Sequence, residues 1–262
     1  MKTYFPKHSQ NRMQLEGDLK KARKRFFNER PNNLLFLLEQ RYMWMNEYIY
    51  DQQSIFELGC GAGLSKAFIV NENLRLTDVS NENWVDLYVN AMELPFPDNS
   101  VDILICSHMI HHLANPLRFF EGACRVLRPG GLILISEINT SLLMRFLLRV
   151  MRHEGWSYEV NIFDKNEIAN DPSDPWSANC AIPEMLFKDS QSFEKALPQF
   201  RVIRNELTEC LIFPLSGGVI ARSPSITLSF SILRLIAKID NFLIMIFPKL
   251  FALGRRVVLQ KA

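Results

Sequence analysis

Short apolar runs, each closed by a turn signal, dominate the first half of the chain. Ile55-Phe56-Glu57-Leu58 carries one acid and runs straight into Gly59-Cys60-Gly61-Ala62-Gly63. That pattern predicts a buried strand ending in a tight turn. Leu74–Val79, Ile103–Cys106 and Leu132–Ser136 read as further strands, Phe200–Leu207 as a sixth and Arg256–Gln260 as a terminal one. Between them the spacing turns helical. Leu34, Leu35, Leu38, Tyr42 and Met45 share one face of a helical stretch from about Lys20 to Tyr50, interrupted near its start by Pro31. Helices are also predicted over Ser141–Met151 and Ser190–Leu197. The stretch His153–Pro183, with Pro172, Pro175, Pro183, Trp156 and Trp176, reads as loops held by aromatic anchors.

The C-terminal quarter has a different pattern. In residues 226–253 the polar positions Thr227, Ser231, Arg234, Lys238 and Asn241 make one narrow helical stripe, and nearly everything else is apolar. Arg234, Lys238, Asp240 and Lys249 break any uncharged run long enough to span a bilayer. Three coverings suit so wide an apolar face: the protein's own core, as a cap helix over a substrate cavity; a partner subunit; or an anionic membrane surface.

The glycine turn is where ligand chemistry is expected. Glycines tolerate positive φ and let a ligand lie on bare backbone, and a helix after the turn would aim its free N–H groups at the same place. The spacing G-x-G-x-G departs from the dinucleotide pattern G-x-G-x-x-G, and Leu64-Ser65-Lys66 supplies no Walker lysine. Asp78 closes the next strand, one helix-plus-strand distance on, where a carboxylate accepts hydrogen bonds from both hydroxyls of a ribose.

Composition narrows the class. The 262 residues suit one α/β unit with added elements. The five cysteines, Cys60, Cys106, Cys124, Cys180 and Cys210, have no C-x-x-C spacing, which points to small buried hydrophobes in a reducing compartment. Met1–His8 has no apolar h-region, so a cytoplasmic protein is expected. The net charge of +2 is unevenly spread: residues 1–45 hold ten Lys/Arg against four Asp/Glu, and residues 222–262 seven against one. Each end is therefore +6 and the middle 2 − 12 = −10. Basic ends suit an anionic partner, but no aromatic-studded basic groove supports nucleic acid.

Two more segments complete a recognisable set. Asn90-Ala91-Met92-Glu93-Leu94-Pro95-Phe96-Pro97-Asp98 leads into the Ile103 strand, and Arg125-Val126-Leu127-Arg128-Pro129-Gly130-Gly131 into the Leu132 strand. With the glycine turn, these resemble the ordered motifs of class I S-adenosylmethionine-dependent methyltransferases, in the branch acting on small molecules and lipids. The resemblance spans about Ser54–Glu137. It implies a Rossmann-like α/β fold: a seven-stranded, mostly parallel sheet with helices on both faces and an antiparallel last strand. Added to it here are an N-terminal helical prefix (1–53), which in the family packs over the cofactor mouth, and a helical insertion (214–254) before the last strand. Residues 54–140 would form the cofactor-binding core, 141–200 a helix and substrate-side loops, and 201–262 the C-terminal strands.

The resemblance also implies site roles. Glu57 would hold the methionine amino group, Gly59 and Gly61 would let the methionine part lie on backbone, and Asp78 would take the ribose. Asn90 stands where the family usually has aspartate, the Ala91 N–H would meet an adenine nitrogen, and Met92 would pack the ring, with Cys60 and Ser107 as further contacts. His111-His112-Leu113 matches a His-His-Leu of the family after the same strand. His108, His111 and His112 would share one face if a helix begins there. A neutral histidine there would serve as base for a hydroxyl or amine, with Glu137 as second base or anchor; no metal is expected. The expected reaction is methyl transfer to a small-molecule, lipid- or glycan-linked acceptor at oxygen. Its rivals are a nucleic-acid methyltransferase and a cofactor-binding protein without activity.

Overall fold

The computed structural model describes residues 2–262. A seven-stranded sheet organises it. In chain order the elements begin with β1 (Thr3–Tyr4), α1 (Arg12–Glu16), α2 (Leu19–Lys24), α3 (Asn32–Tyr42), β2 (Ile55–Leu58), β3 (Leu74–Asp78), β4 (Leu87–Tyr88) and β5 (Val101–Ser107). They continue with α4 (Pro116–Val126), β6 (Leu127–Ile138), α5 (Leu142–Met151), β7 (Trp156–Ser157), α6 (Ile182–Phe187), α7 (Ser190–Ala196) and β8 (Phe200–Thr208). The chain finishes with α8 (Ile212–Leu215), α9 (Phe230–Ile246), α10 (Pro248–Phe251) and β9 (Gly254–Lys261).

The strand order is β4-β3-β2-β5-β6-β9-β8, with every pair parallel except those of β9, which runs antiparallel to both β6 and β8. The C-terminal strand is therefore interior, and β8 forms that edge. Alternation along the strands divides the core. Leu104, Cys106, Ile133, Ile135, Val257 and Leu259 face a cluster with Phe119, Phe120, Phe187 and Phe193 from α4, α6 and α7. Ile103, Ile105, Leu134 and Val258 face the opposite cluster, built with Phe26, Leu34, Leu38, Tyr42 and Trp44 of the N-terminal prefix.

The helix expected after the glycine turn does not form: Ser65–Ala67 makes a single 3-10 turn. Only ten residues, Leu64–Asn73, separate Gly63 from β3. That length cannot hold an ordinary helix with its entry and exit, and the prefix covers this face instead. The prefix itself is helical in pieces, broken by left-handed Arg30 (φ 45°) just before Pro31. A bidentate pair anchors it, Arg41 Nε and Nη2 donating to Glu209 Oε1 and Oε2 at 2.8 and 2.7 Å, both side chains 5% exposed.

The His153–Pro183 stretch also departs from expectation. Trp156, fully buried, belongs to β7, which pairs with β1, and α6 begins at Ile182. The 226–253 helix is no cap over a cavity. Leu233, Asp240 and Ile244 of α9 turn inward, while Ile232, Leu235, Ile239, Phe242 and Ile246 are exposed. No helix among the described residues is long and apolar enough to cross a membrane.

Candidate active site

Gly59 and Gly61 of the glycine turn line a cavity of about 690 Å³ at the carboxyl ends of the parallel strands. Gly59, Gly61 and Gly63 all have positive φ (66°, 51° and 63°). At Gly59 a Cβ would sit 2.5 Å from Met109 Cγ, so no larger residue fits without displacing that side chain. The prefix clamps the turn from outside: Arg23 Nη1 donates to Ala62 and Gly63 carbonyls at 2.9 and 3.1 Å and stacks on Trp84, whose Nε1 donates to Gly61 O at 2.8 Å.

Asp78 sits at the end of β3 beside this turn. Its Oδ2 accepts from Gly61 N–H and its Oδ1 from Ser80 N–H, both at 2.8 Å, which fixes the carboxylate and leaves each oxygen a second lone pair for a ligand. Asn90 Oδ1 accepts from Met92 N–H at 3.0 Å, folding the Asn90-Ala91-Met92 turn against the cavity. Gly59, Cys60, Gly61, Asp78, Asn90, Ala91, Met92 and Ser107 all line the cavity. These groups suit S-adenosylmethionine in kind: bare backbone for a chain, a fixed carboxylate for a ribose, and a short apolar turn for an aromatic base.

Glu57 differs from what the resemblance implies. Its carboxylate lies beneath the lining, accepting from Ser65 Oγ and from Tyr42 OH at 3.4 Å. Burial pushes its carboxyl up to about 7. Tyr42, its hydrogen-bond partner, does line the cavity.

The same cavity is also lined by a cluster of histidines and acids. No helix starts after β5; Ile110–His112 is one 3-10 turn, and His108 takes a left-handed φ of 51°. Glu137, at the end of β6, accepts Ile110 N–H at 2.6 Å and pairs with His111 Nδ1 at 2.6 Å. His111 Nε2 faces Glu154 Oε2 at 3.6 Å, and His112 Nε2 faces Glu154 Oε1 at 3.7 Å. Burial pulls His111 down, but Glu137 and Glu154 outweigh it and lift the imidazole to about 10. The two carboxylates thus favour His111 as a cation, in contrast to the neutral base expected of it. His112 is the opposite case: burial and the His111 charge lower its pKa, and its Nδ1 pairs with Ser177 O at 3.0 Å, leaving Nε2 toward the cavity.

His153 and Glu154 line the same cavity and escape sequence reasoning, because they sit in a segment of turn composition with no periodicity. His111, His112 and Glu154 bring ligand atoms within 4.8 Å of one another, a separation that a divalent ion can bridge. Glu154 already faces the His111 cation; burial acts to raise its carboxyl, but the His111 charge and hydrogen bond hold it well below the usual range.

Residues 56–135 match the family model described as "Methyltransferase domain". The segment covers the glycine turn, Asp78, Asn90–Met92 and the histidine turn. Over that segment the chain is similar to class I S-adenosylmethionine-dependent methyltransferases. A probable S-adenosylmethionine-dependent methyltransferase of Mycolicibacterium smegmatis is 29% identical over 123 residues, 39% of this chain and 48% of that protein. A ubiquinone/menaquinone biosynthesis C-methyltransferase of Psychromonas ingrahamii is 25% identical over 154 residues, 55% of this chain and 52% of that one. The chain thus spans about half the length of these curated relatives. A solved methyltransferase of Archaeoglobus fulgidus is similar with a TM-score of 0.49 and 20% identity, covering 86% of this chain and 93% of that one.

Proposed function

We propose that this methyltransferase methylates a hydroxyl oxygen on a small-molecule, lipid- or glycan-linked acceptor. One observation supports the reading most: a single cavity is lined both by the glycine turn and Asp78 and by His111, His112 and Glu154, together with Met144, Leu148 and Met151 of α5. When bound, S-adenosylmethionine supplies an electrophilic methyl on a positively charged sulfur. The chain's own work is then binding, alignment and exclusion of water.

Asp78 would take the ribose and Asn90, Ala91 and Met92 the adenine, while the glycine backbone receives the methionine part. His112 Nε2 would accept the acceptor's proton. His111, fixed by Glu137, would act as a positioning residue: it holds Glu154 in place and, through its charge, keeps His112 neutral. The apolar α5 side chains suit an acceptor carrying hydrocarbon.

Two measurements test the reading. Calorimetric titration with S-adenosylmethionine should show one site. Incubation with radiolabelled cofactor and separated polar and lipid extracts should place label in a product that resists mild base, as an ether does. Absence of cofactor binding would overturn the assignment, and label confined to base-labile esters would overturn the hydroxyl acceptor.

A further inference from the structure

The exposed apolar side chains are not scattered. On α9, Ile232, Leu235, Ile239, Phe242 and Ile246 follow steps of three and four and stay open to solvent, Leu235 at 59% and Phe242 at 57%. Ser231, Arg234, Lys238 and Asn241 form an exposed polar stripe beside them. On α5, Leu142, Phe146 and Val150 make a second exposed row, with Phe146 at 60%. Phe247 and Leu250, at and within α10, add to it.

These rows adjoin. Leu143 of α5, Leu243 and Ile244 of α9 and Phe251 of α10 share one apolar cluster with Cys210 and Ala252, and α10 packs on both other helices. Around each helix the seam residue neighbours the exposed row: Leu143 lies three positions from Phe146, and Leu243 lies four and three from Ile239 and Ile246. The result is one broad apolar platform, far beyond the isolated hydrophobes normal on a surface.

Charge identifies what would cover it. The charged residues of the three helices are Arg145, Arg149, Arg234, Lys238, Lys249 and Asp240. Asp240 is buried, its carboxylate accepting the N–H groups of Cys210, Leu211 and Ile212. Arg145 turns away to Thr140 O and Tyr158 OH, and Arg149 stacks on Tyr4 and Trp156, so the cations left to the platform are Arg234, Lys238 and Lys249, and the three helices add no exposed acid. A two-fold dimer through this face would set cations against cations, whereas anionic lipid headgroups complement them.

We propose that α5, α9 and α10 dock the protein in the plane of an anionic bilayer, with Phe242, Phe146 and their neighbours in the acyl boundary and Arg234 and Lys238 at the headgroups. The other side of α5 carries Met144, Leu148 and Met151 into the candidate active site, so one helix separates bilayer from cavity. A lipid-linked acceptor follows from that placement, and this last step rests on the methyl-transfer reading. Docking itself does not.

The test is flotation of the full chain with vesicles of phosphatidylcholine alone or mixed with about a third phosphatidylglycerol. Binding is expected to the anionic vesicles at low salt and to fall in 0.5 M salt. Phe146→Ser with Phe242→Ser should weaken it at least tenfold, and Arg234→Glu with Lys238→Glu should remove the anionic preference. All four sites are exposed, so circular dichroism and melting should match the parent. Protein that stays unbound with anionic vesicles at low salt overturns the proposal. So does a dimer in light scattering that the Phe variants dissociate while vesicles remain unbound. Calorimetry with S-adenosylmethionine on the same samples reads the methyl-transfer assignment separately.

Discussion

At the scale of single residues, the fixed carboxylate of Asp78 is the sharpest test of the cofactor site. On the proposed binding mode, Asp78→Ala removes two ribose contacts as well as the partner of Gly61 N–H, and should weaken S-adenosylmethionine binding by about 2–4 kcal/mol in calorimetry. In the proposed reaction His112 takes the acceptor's proton. His112→Gln should lower kcat by about 10²-fold while leaving cofactor affinity close to the parent's. Because a base must be unprotonated and the pKa of His112 is lowered, first by burial and then by the His111 charge, the acid limb of the rate profile should fall below the ordinary histidine value of 6.5. Glu57 makes a different pH statement. Burial raises its carboxyl from 4.5 to about 7 in the folded state, so the folded chain binds more protons than the unfolded one between those values. Its stabilising contribution is complete below about pH 4.5 and lost as pH rises through 7. Glu57→Gln should flatten that part of the stability profile, so that urea midpoints measured at pH 5 and pH 8 differ less than in the parent.

Elements are held to one another by a few buried polar links, among them the bidentate pair of Arg41 and Glu209. It ties α3 to the turn after β8, across 168 residues of chain. Arg41→Met leaves Glu209 buried without its partner and should cost about 3–5 kcal/mol in denaturant unfolding; the double variant with Glu209→Leu should recover much of that. This link is invisible in the sequence. The cofactor motifs are legible because each is local: the glycine spacing, the strand-end acid and the Asn90-Ala91-Met92 turn are each complete within a few residues of chain. Glu154 reaches His111 and His112 only through tertiary packing of a turn-rich segment, and nothing in its neighbours announces it. The short 3-10 turn after Gly63 follows from loop length, which periodicity does not weigh. For α9 the pattern reveals a wide apolar face but not how much of it the protein covers, since that depends on what α3, α5 and β8 present to it.

For the whole molecule, the interior position of β9 means that the chain's last strand completes the sheet. Val257 and Leu259 point into the α4–α6–α7 cluster and Val258 into the prefix cluster, all three fully buried, so one strand joins both halves of the core. Arg255 adds polar closure: Nη1 donates to Phe187 O and Asn205 Oδ1 at 2.9 and 2.6 Å, and Nη2 to Asn139 Oδ1 at 3.0 Å. Without β9, the inner edge of β6 loses its ladder and β8 loses its pairing partner. Deleting residues 254–262 should therefore abolish cooperative unfolding, read as loss of a sigmoidal melting transition. Because such a deletion can fail for many reasons, a graded variant fixes the cause. Leu259→Ala removes one buried side chain from one face and should cost about 2–5 kcal/mol while keeping a single transition and cofactor binding. If the truncated chain melts cooperatively near the parent temperature, or Leu259→Ala shows no loss, the terminal strand is not the element that unites the two halves of the core.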